Sequence, residues 1–280
     1  MQLTGPDGRT LSFSLTGPEE GFPVFYCHGI PGSRHETAML SPDLRQRCRL
    51  IAMDRPGYGE SSPCAGYGPE DHAEDLRCLA QHLGVTQCAV LGFSGGGVFA
   101  LAAAAALGAR HLVLTGVPAV PLLANALENA GALTAGTWRQ ALEAPETLAE
   151  SLRPLLGDAQ SLSQAMAGSF SASDRALLNR EDLQRAFERN MAAAVAQSAG
   201  PAASAMARDM VSVVSTRPVA GEKSPFTVRI VHGREDGLVY PAHACALAEA
   251  HPACQLELLP GCGHYGTLRA IEYHQLMPGD

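Results

Sequence analysis

The stretch Cys88-Ala89-Val90-Leu91-Gly92-Phe93-Ser94-Gly95-Gly96, continued by an Ala-rich run to Leu107, decides how this chain folds. Its first six residues form an apolar run of strand length. Residues 95–107 are apolar all round, which predicts a helix buried against a sheet. Between them, Gly92-Phe93-Ser94-Gly95-Gly96 matches G-x-S-x-G and places Ser94 in a sharp strand-to-helix turn. The serine backbone is strained in such a turn, and glycines nearby avoid clashes. The turn lifts the hydroxyl above the sheet edge, where the following helix aims its N-terminal N–H groups. The plain alternative is a Gly-rich turn with no chemistry, since G-x-S-x-G alone recurs by chance.

Working outward, short apolar runs closed by Gly or Pro occur at residues 23–27, 49–53, 111–115, 226–231 and 255–259, and residues 9–15 alternate in the strand manner. These read as buried parallel strands. Helical patterns lie between them at residues 69–83, 95–107 and 241–250. Alternating strands and helices predict an α/β fold with a mostly parallel sheet and right-handed crossovers. The rhythm breaks between Pro118 and Gly221, where helices are predicted at 122–132, 137–142, 145–155, 161–170, 174–196 and 202–215. The expected division is a core of residues 1–118 and 222–280 with a helical cap at 119–221. A chain leaving the sheet at the strand end beyond Thr115 lies over that edge, so the cap is expected to wall the substrate pocket. The competing reading is a peripheral helical appendage.

Four further motifs close predicted strands: His28-Gly29-Ile30-Pro31-Gly32, Asp54-Arg55-Pro56-Gly57-Tyr58-Gly59-Glu60-Ser61, His232-Gly233-Arg234-Glu235-Asp236-Gly237-Leu238-Val239, and Gly261-Cys262-Gly263-His264-Tyr265-Gly266. Together with the serine turn, and in this order, they resemble the α/β-hydrolase fold superfamily, in its serine-nucleophile, capped type with an HG-x-P-G oxyanion loop. The resemblance covers about residues 10–118 and 222–268 and does not extend with any specificity to the cap. It implies an α/β-hydrolase fold and a catalytic triad of Ser94, Asp236 and His264. It also implies an oxyanion hole made by the N–H groups of Ile30 and Gly95; Pro31 has no N–H to offer. The family's acid lies three residues past the Gly of the H-G pair, which is Asp236. The adjacent Glu235 stays open on chemistry, because any carboxylate can orient an imidazole. The alternative acid position of the family, after the strand that precedes the cap, is Thr115-Gly116-Val117-Pro118-Ala119 here and holds no carboxylate. Of the histidines after Asp236, only His264 sits in a Gly-rich loop directly after a strand. His28 reads as a shaper of its loop and Asp54 as a tie for loop backbone. The helix after the histidine loop is expected to be short, within residues 268–277.

The expected reaction is hydrolysis of a carboxylic ester or lactone through an acyl-enzyme. A serine at position 94 speaks against the aspartate-nucleophile relatives. A proline-iminopeptidase-like activity stands as an alternative, with Glu181, Asp182 and Glu188 as carboxylates for a substrate amine. C–C bond hydrolysis, lyase chemistry and acyl transfer are further alternatives, and a non-catalytic small-ligand receptor of this fold comes from another class. Phe93, Trp138, Phe187 and Met191 are the substrate-pocket candidates, with Phe170, Met206 and Met210 beside them; packing between cap helices accounts for such residues equally well. Only 17% of the 280 residues are charged, the net charge is −8, and no basic cluster occurs. Nucleic acid and anionic membranes are therefore not expected as partners, and a small-molecule substrate is. No apolar run approaches the ~20 residues of a membrane span. Eight cysteines without a C-x-x-C pair, and an N-terminus without a secretory pattern, suggest reduced thiols and a cytoplasmic setting. No metal or organic cofactor is expected.

Overall fold

The computed structural model describes residues 1–219 and 226–277. The expected boundary at 221/222 and the last residues of the expected core, 278–280, lie outside the described residues. An eight-stranded sheet runs in the order β1-β2-β4-β3-β5-β6-β7-β8. Its strands are β1 (Gln2–Thr4), β2 (Thr10–Thr16), β3 (Phe22–Cys27), β4 (Cys48–Met53), β5 (Ala89–Phe93), β6 (His111–Thr115), β7 (Thr227–Gly233) and β8 (Gln255–Leu259). β2 is antiparallel to both its neighbours, β1 and β4, and the remaining pairs are parallel. The sequence reading treated residues 9–15 like the other strands and missed β1. A strand of three residues is too short to show a period.

Register explains why the motifs converge. Cys27 pairs with Gly92, Phe93 with Thr115, Thr115 with Val231, and Gly233 with Leu259. The carboxyl ends of β3, β5, β6, β7 and β8 therefore align. The loops after them emerge along one edge, the place where open α/β sheets build sites.

The core helices are α1 (Pro42–Arg47), α2 (Pro69–His82) and α3 (Gly96–Ala106), followed late in the chain by Ala242–Ala250, His264–Ala270 and Tyr273–Leu276. α3 carries eight buried residues among its eleven, as an all-apolar helix should, and packs against α2, β5 and β6. Between β6 and β7 lie α4 (Ala132–Glu143), α5 (Pro145–Leu152), α6 (Ala159–Ala167), α7 (Ala172–Leu178), α8 (Glu181–Ala194) and α9 (Ala199–Ser215), which makes the late core helices α10, α11 and α12.

Two helix expectations fail in the insertion. The helix expected at 122–132 is a short 3-10 helix, Val120–Leu122, followed by turns. The backbone there pairs elsewhere: Gly131 N–H donates to Leu238 O, Tyr240 N–H donates to Asn129 O, and Ala130 bridges Val239. The helix expected at 174–196 breaks into α7 and α8 around Asn179 and Arg180. Asn179 closes α7, and Glu181 and Asp182 fall in the first turn of α8, where carboxylates suit the helix N-terminus. α8 packs on a 3-10 helix of the core, Arg34–Met39, while α9 packs against α4 and α5. All eight cysteines carry free thiols. No helix of the described residues is long and apolar enough to cross a membrane.

Candidate active site

β5 ends at Phe93 and α3 begins at Gly96, so Ser94 and Gly95 turn the chain. Ser94 has φ of 52°, a left-handed conformation that side-chain-bearing residues seldom adopt. Its N–H donates to Thr115 O of β6 at 2.9 Å, and Gly97 N–H donates to Ser94 O at 3.0 Å. At Gly95 a β-carbon would lie 2.4 Å from Ile30 Cδ1, so a larger residue there would push the Ile30 side chain aside. That contact seats the His28-Gly29-Ile30 loop against the serine turn. Among the described residues, the turn and loop hydrogen bonds include none from the N–H of Ile30 or of Gly95.

Asp236 and His264 meet although 28 positions separate them. His264 Nδ1 lies 2.7 Å from Asp236 Oδ2, and both side chains are buried. The other oxygen, Oδ1, accepts the N–H groups of Leu238 and Val239 at 2.9 Å each. His232 Nε2 donates to Val239 O at 2.8 Å and stands 3.3 Å from Asp236 Oδ2. Burial opposes a charge on Asp236, but the facing His264 and the hydrogen bonds from His232 and His264 outweigh it and hold this carboxyl below the usual carboxylate range. Burial likewise opposes a cation on His264, and Asp236 overrides it, so the imidazole titrates above its ordinary 6.5. A carboxylate can only accept, so Nδ1 carries the proton and Nε2 keeps its lone pair. Phe93, the neighbour of Ser94, packs against the imidazole with ring centroids 4.7 Å apart. Glu235 is exposed on the surface, so the structure brings Asp236 and not its neighbour to His264.

The loops are held by further buried groups; a loop-shaping role was expected of His28 and not of Arg55, Glu36, Asp174 or Asp209. His28 Nδ1 donates to Gly29 O, and Nε2 accepts Arg55 N–H. Burial, then the nearby Arg55, pushes His28 well below its ordinary range, so it is a neutral brace for the loop. Arg55 is fully buried; its Nη1 donates to His28 O at 2.6 Å and its Nη2 to Gly29 O at 2.8 Å. Its Nε donates to Asp209 of α9 at 2.7 Å. Glu36 accepts from Gly29 N–H at 2.7 Å, from Tyr26 OH at 2.9 Å and from Asn190 of α8 at 2.9 Å. Asp174 of α7 accepts the backbone N–H groups that open α11. Asp209 had a legible signal: Ala205, Asp209 and Val213 share one helical stripe, and a lone acid on an apolar face needs a partner. Asp174 gave none, since Ser171-x-x-Asp174 reads as ordinary helix capping.

Ser94, Ile30 and Gly95 line a cavity of about 40 Å³. The insertion supplies Thr134 and Trp138 from α4 and Met210 and Val213 from α9; Pro118, Leu238 and Val239 complete the lining. No charged side chain is among these residues. Of the pocket candidates, Trp138 reaches this cavity and three do not. Phe93 is committed to His264 and Tyr265, Phe187 packs edge-on against Phe170 and Tyr265, and Met191 is fully buried between elements. Glu181, Asp182 and Glu188 lie on the outer face of α8, bonded to Arg185, Arg180 and Gln184. A larger cleft of about 450 Å³, between Pro56-Gly57 and the start of α9, contains none of the candidate residues. Among the described residues, no group of three His, Cys, Asp or Glu side chains is placed to hold a metal ion.

Comparison with known proteins agrees with this geometry at the level of the fold. Residues 23–269 match the family model described as alpha/beta hydrolase fold. The chain is 43% identical over 88 residues to a magnesium-chelatase 30 kDa subunit of Rhodobacter capsulatus, a match that covers 31% of each chain. It is 26% identical over 262 residues to 2-hydroxymuconate semialdehyde hydrolase of Pseudomonas putida, covering 90% of this chain and 84% of that one. Among solved structures, a thermophilic esterase from Thermogutta terrifontis superposes with a TM-score of 0.64 at 23% identity, over 96% of this chain and 92% of the other. Several matched curated relatives are spanned over only about a third of their own length. The family model covers most of the chain, so this protein belongs to the alpha/beta hydrolase fold family.

Proposed function

We propose that the chain hydrolyses a neutral carboxylic ester or lactone with a compact acyl group, through an acyl-enzyme on Ser94. The observation that carries this reading is the buried His264–Asp236 pair at 2.7 Å, on the same strand edge as the strained Ser94. Asp236 fixes the Nδ1–H tautomer, which leaves His264 Nε2 to take the proton from the Ser94 hydroxyl. Ser94 Oγ attacks the acyl carbonyl carbon. The developing oxyanion accepts the N–H groups of Ile30 and Gly95, each worth about 2.7–4 kcal/mol in comparable sites. The imidazolium returns its proton to the leaving alkoxide, and water activated by the same Nε2 releases the acid.

Residues 119–221 act as the cap, and Trp138, Met210 and Val213 set the acyl size. A cavity of about 40 Å³ is little more than the roughly 30 Å³ share of one water in the liquid, so it favours a short acyl group. That matches an acetyl or propionyl group. A substrate bearing an ammonium or a carboxylate finds no opposite charge on this lining, which argues against the iminopeptidase reading and favours neutral esters. The setting we infer is cytoplasmic, and the partner a small-molecule substrate.

A panel of p-nitrophenyl esters from acetate to octanoate, short lactones and a prolyl arylamide tests this reading. We expect kcat/KM to peak at acetate or propionate. Hydrolysis of the arylamide alone, or no turnover of any ester, would reject it.

A further inference from the structure

Asp174 lies in the insertion, 90 positions from His264, and is fully buried. Its Oδ2 accepts His264 N–H at 2.8 Å, and its Oδ1 accepts Tyr265 N–H at 2.9 Å and Gly266 N–H at 3.0 Å. These are the N–H groups that open α11, whose first residue is His264. Three donors on one side chain from a distant segment leave little freedom for the backbone they belong to. The approach is close: a β-carbon at Gly263 would lie 2.2 Å from Asp174 Oδ2 and from Ser171 Oγ, so only glycine fits before His264. Asp174 is itself steadied by the Ser171 hydroxyl at 3.1 Å, the N-cap of α7.

We propose that Asp174 is a positioning residue for the base: it fixes the His264 backbone while Asp236 fixes the imidazole, so the two carboxylates anchor the side chain at both ends. The proposal rests on the reading of His264 as base. An imidazole is placed by its Cα and two torsions. Asp236 restrains the torsions through Nδ1, and Phe93 and Tyr265 pack against the ring. Nothing in that set holds the Cα; Asp174 does. Reactivity depends steeply on such placement, and the cap thereby becomes part of the machinery rather than a cover. Asp174 also favours the charged imidazole, as do Asp236, its direct partner, and Glu36 from the 3-10 helix Arg34–Met39; His232 stands 3.3 Å from Asp236 on the β7 side. Removing Asp174 withdraws one anion that favours the imidazolium.

The test uses the full chain, with active sites titrated by an organophosphonate so that rates refer to competent molecules. Asp174→Asn keeps the shape but turns an amide N–H toward backbone donors. We expect kcat to fall about 10- to 100-fold. KM should stay within about twofold. The acid limb of kcat/KM should move to lower pH. Should Asp174→Asn give no soluble protein, Ser171→Ala, which loosens the carboxylate, is expected to lower kcat per titrated site a few-fold. Wild-type kcat per site in the variant that folds, or an unmoved acid limb in Asp174→Asn, makes Asp174 a structural helix cap only and overturns the proposal. Ser94→Ala is measured alongside. If it is inactive while Asp174→Asn is unimpaired, only this inference fails; if Ser94→Ala still turns over, the hydrolase reading fails with it.

Discussion

Met210→Ala is the change that most directly asks whether the cavity beside Ser94 holds the acyl group. Met210 is 8% exposed on α9 and faces the cavity with Trp138 and Val213. The substitution removes an unbranched thioether arm of three atoms beyond Cβ. The variant should accept about three further methylenes, each worth about 0.8 kcal/mol when buried. Three of them amount to about 2.4 kcal/mol, so the ratio of kcat/KM for p-nitrophenyl pentanoate over acetate should rise by up to roughly 50-fold. The variant should also lose stability. Met→Ala in a core costs about 2–5 kcal/mol, and a site that already borders a cavity belongs at the low end, about 2 kcal/mol. For a chain of this size that lowers Tm by about 3–4 °C. The assay is the pair of kcat/KM values with a thermal melt on the same preparation. A variant that melts earlier yet keeps the wild-type ratio refutes the argument, because Met210 would then pack the cap without touching the acyl chain.

Ser94→Ala should abolish ester turnover while circular dichroism stays native, and an organophosphonate should add once to the wild type, at Ser94; activity above a few per cent, or labelling elsewhere, removes Ser94 from its role. Asp236→Asn should lower kcat by about 10⁴-fold, while Glu235→Gln leaves it near wild type, since only Asp236 reaches His264. The reverse ranking would move the acid to Glu235. His264 must be neutral to act as base and its pKa is raised, so kcat/KM should fall as pH drops through a midpoint above 6.5. A limb centred below 6.5 contradicts the pairing. For stability the sign is opposite: the raised pKa of His264 adds stability that is fully present below its unfolded value and is lost as pH rises through the folded one.

Sequence alone displayed those features that repeat a local rule. The parallel strands were legible because each is a short apolar run closed by Gly or Pro, and Ser94 was legible because the strained turn demands glycines in sequence order. Trp138 was legible as a large apolar residue in the insertion, but so were Phe187 and Met191, and nothing in a sequence distinguishes a side chain that lines a cavity from one, such as Phe187, that packs on Tyr265. The turns at 123–131 were hidden because their backbone partners, Leu238 and Tyr240, lie more than a hundred positions away. Long-range pairing overrides helix propensity there, and no local window contains it.

The same reasoning locates what makes the insertion fit one way only. Its apolar side chains, Trp138, Met206, Met210 and Val213, would tolerate many small shifts against the core, because dispersion contacts have no direction. Three buried polar side chains do not tolerate them. Asp174 meets the His264 loop, Asn190 meets Ser33 and Glu36, and Asp209 meets Arg55, whose guanidinium holds the carbonyls of His28 and Gly29. Each would be left buried and unpaired by a misfit, and stranding one partner of a pair such as Arg55–Asp209 costs about 3–5 kcal/mol. Apolar burial thus supplies the attraction between insertion and core, and these polar contacts select the register. All three act on the segments that carry Ile30 and His264, the proposed oxyanion donor and base, so the register that satisfies them is also the one in which the proposed chemistry is assembled.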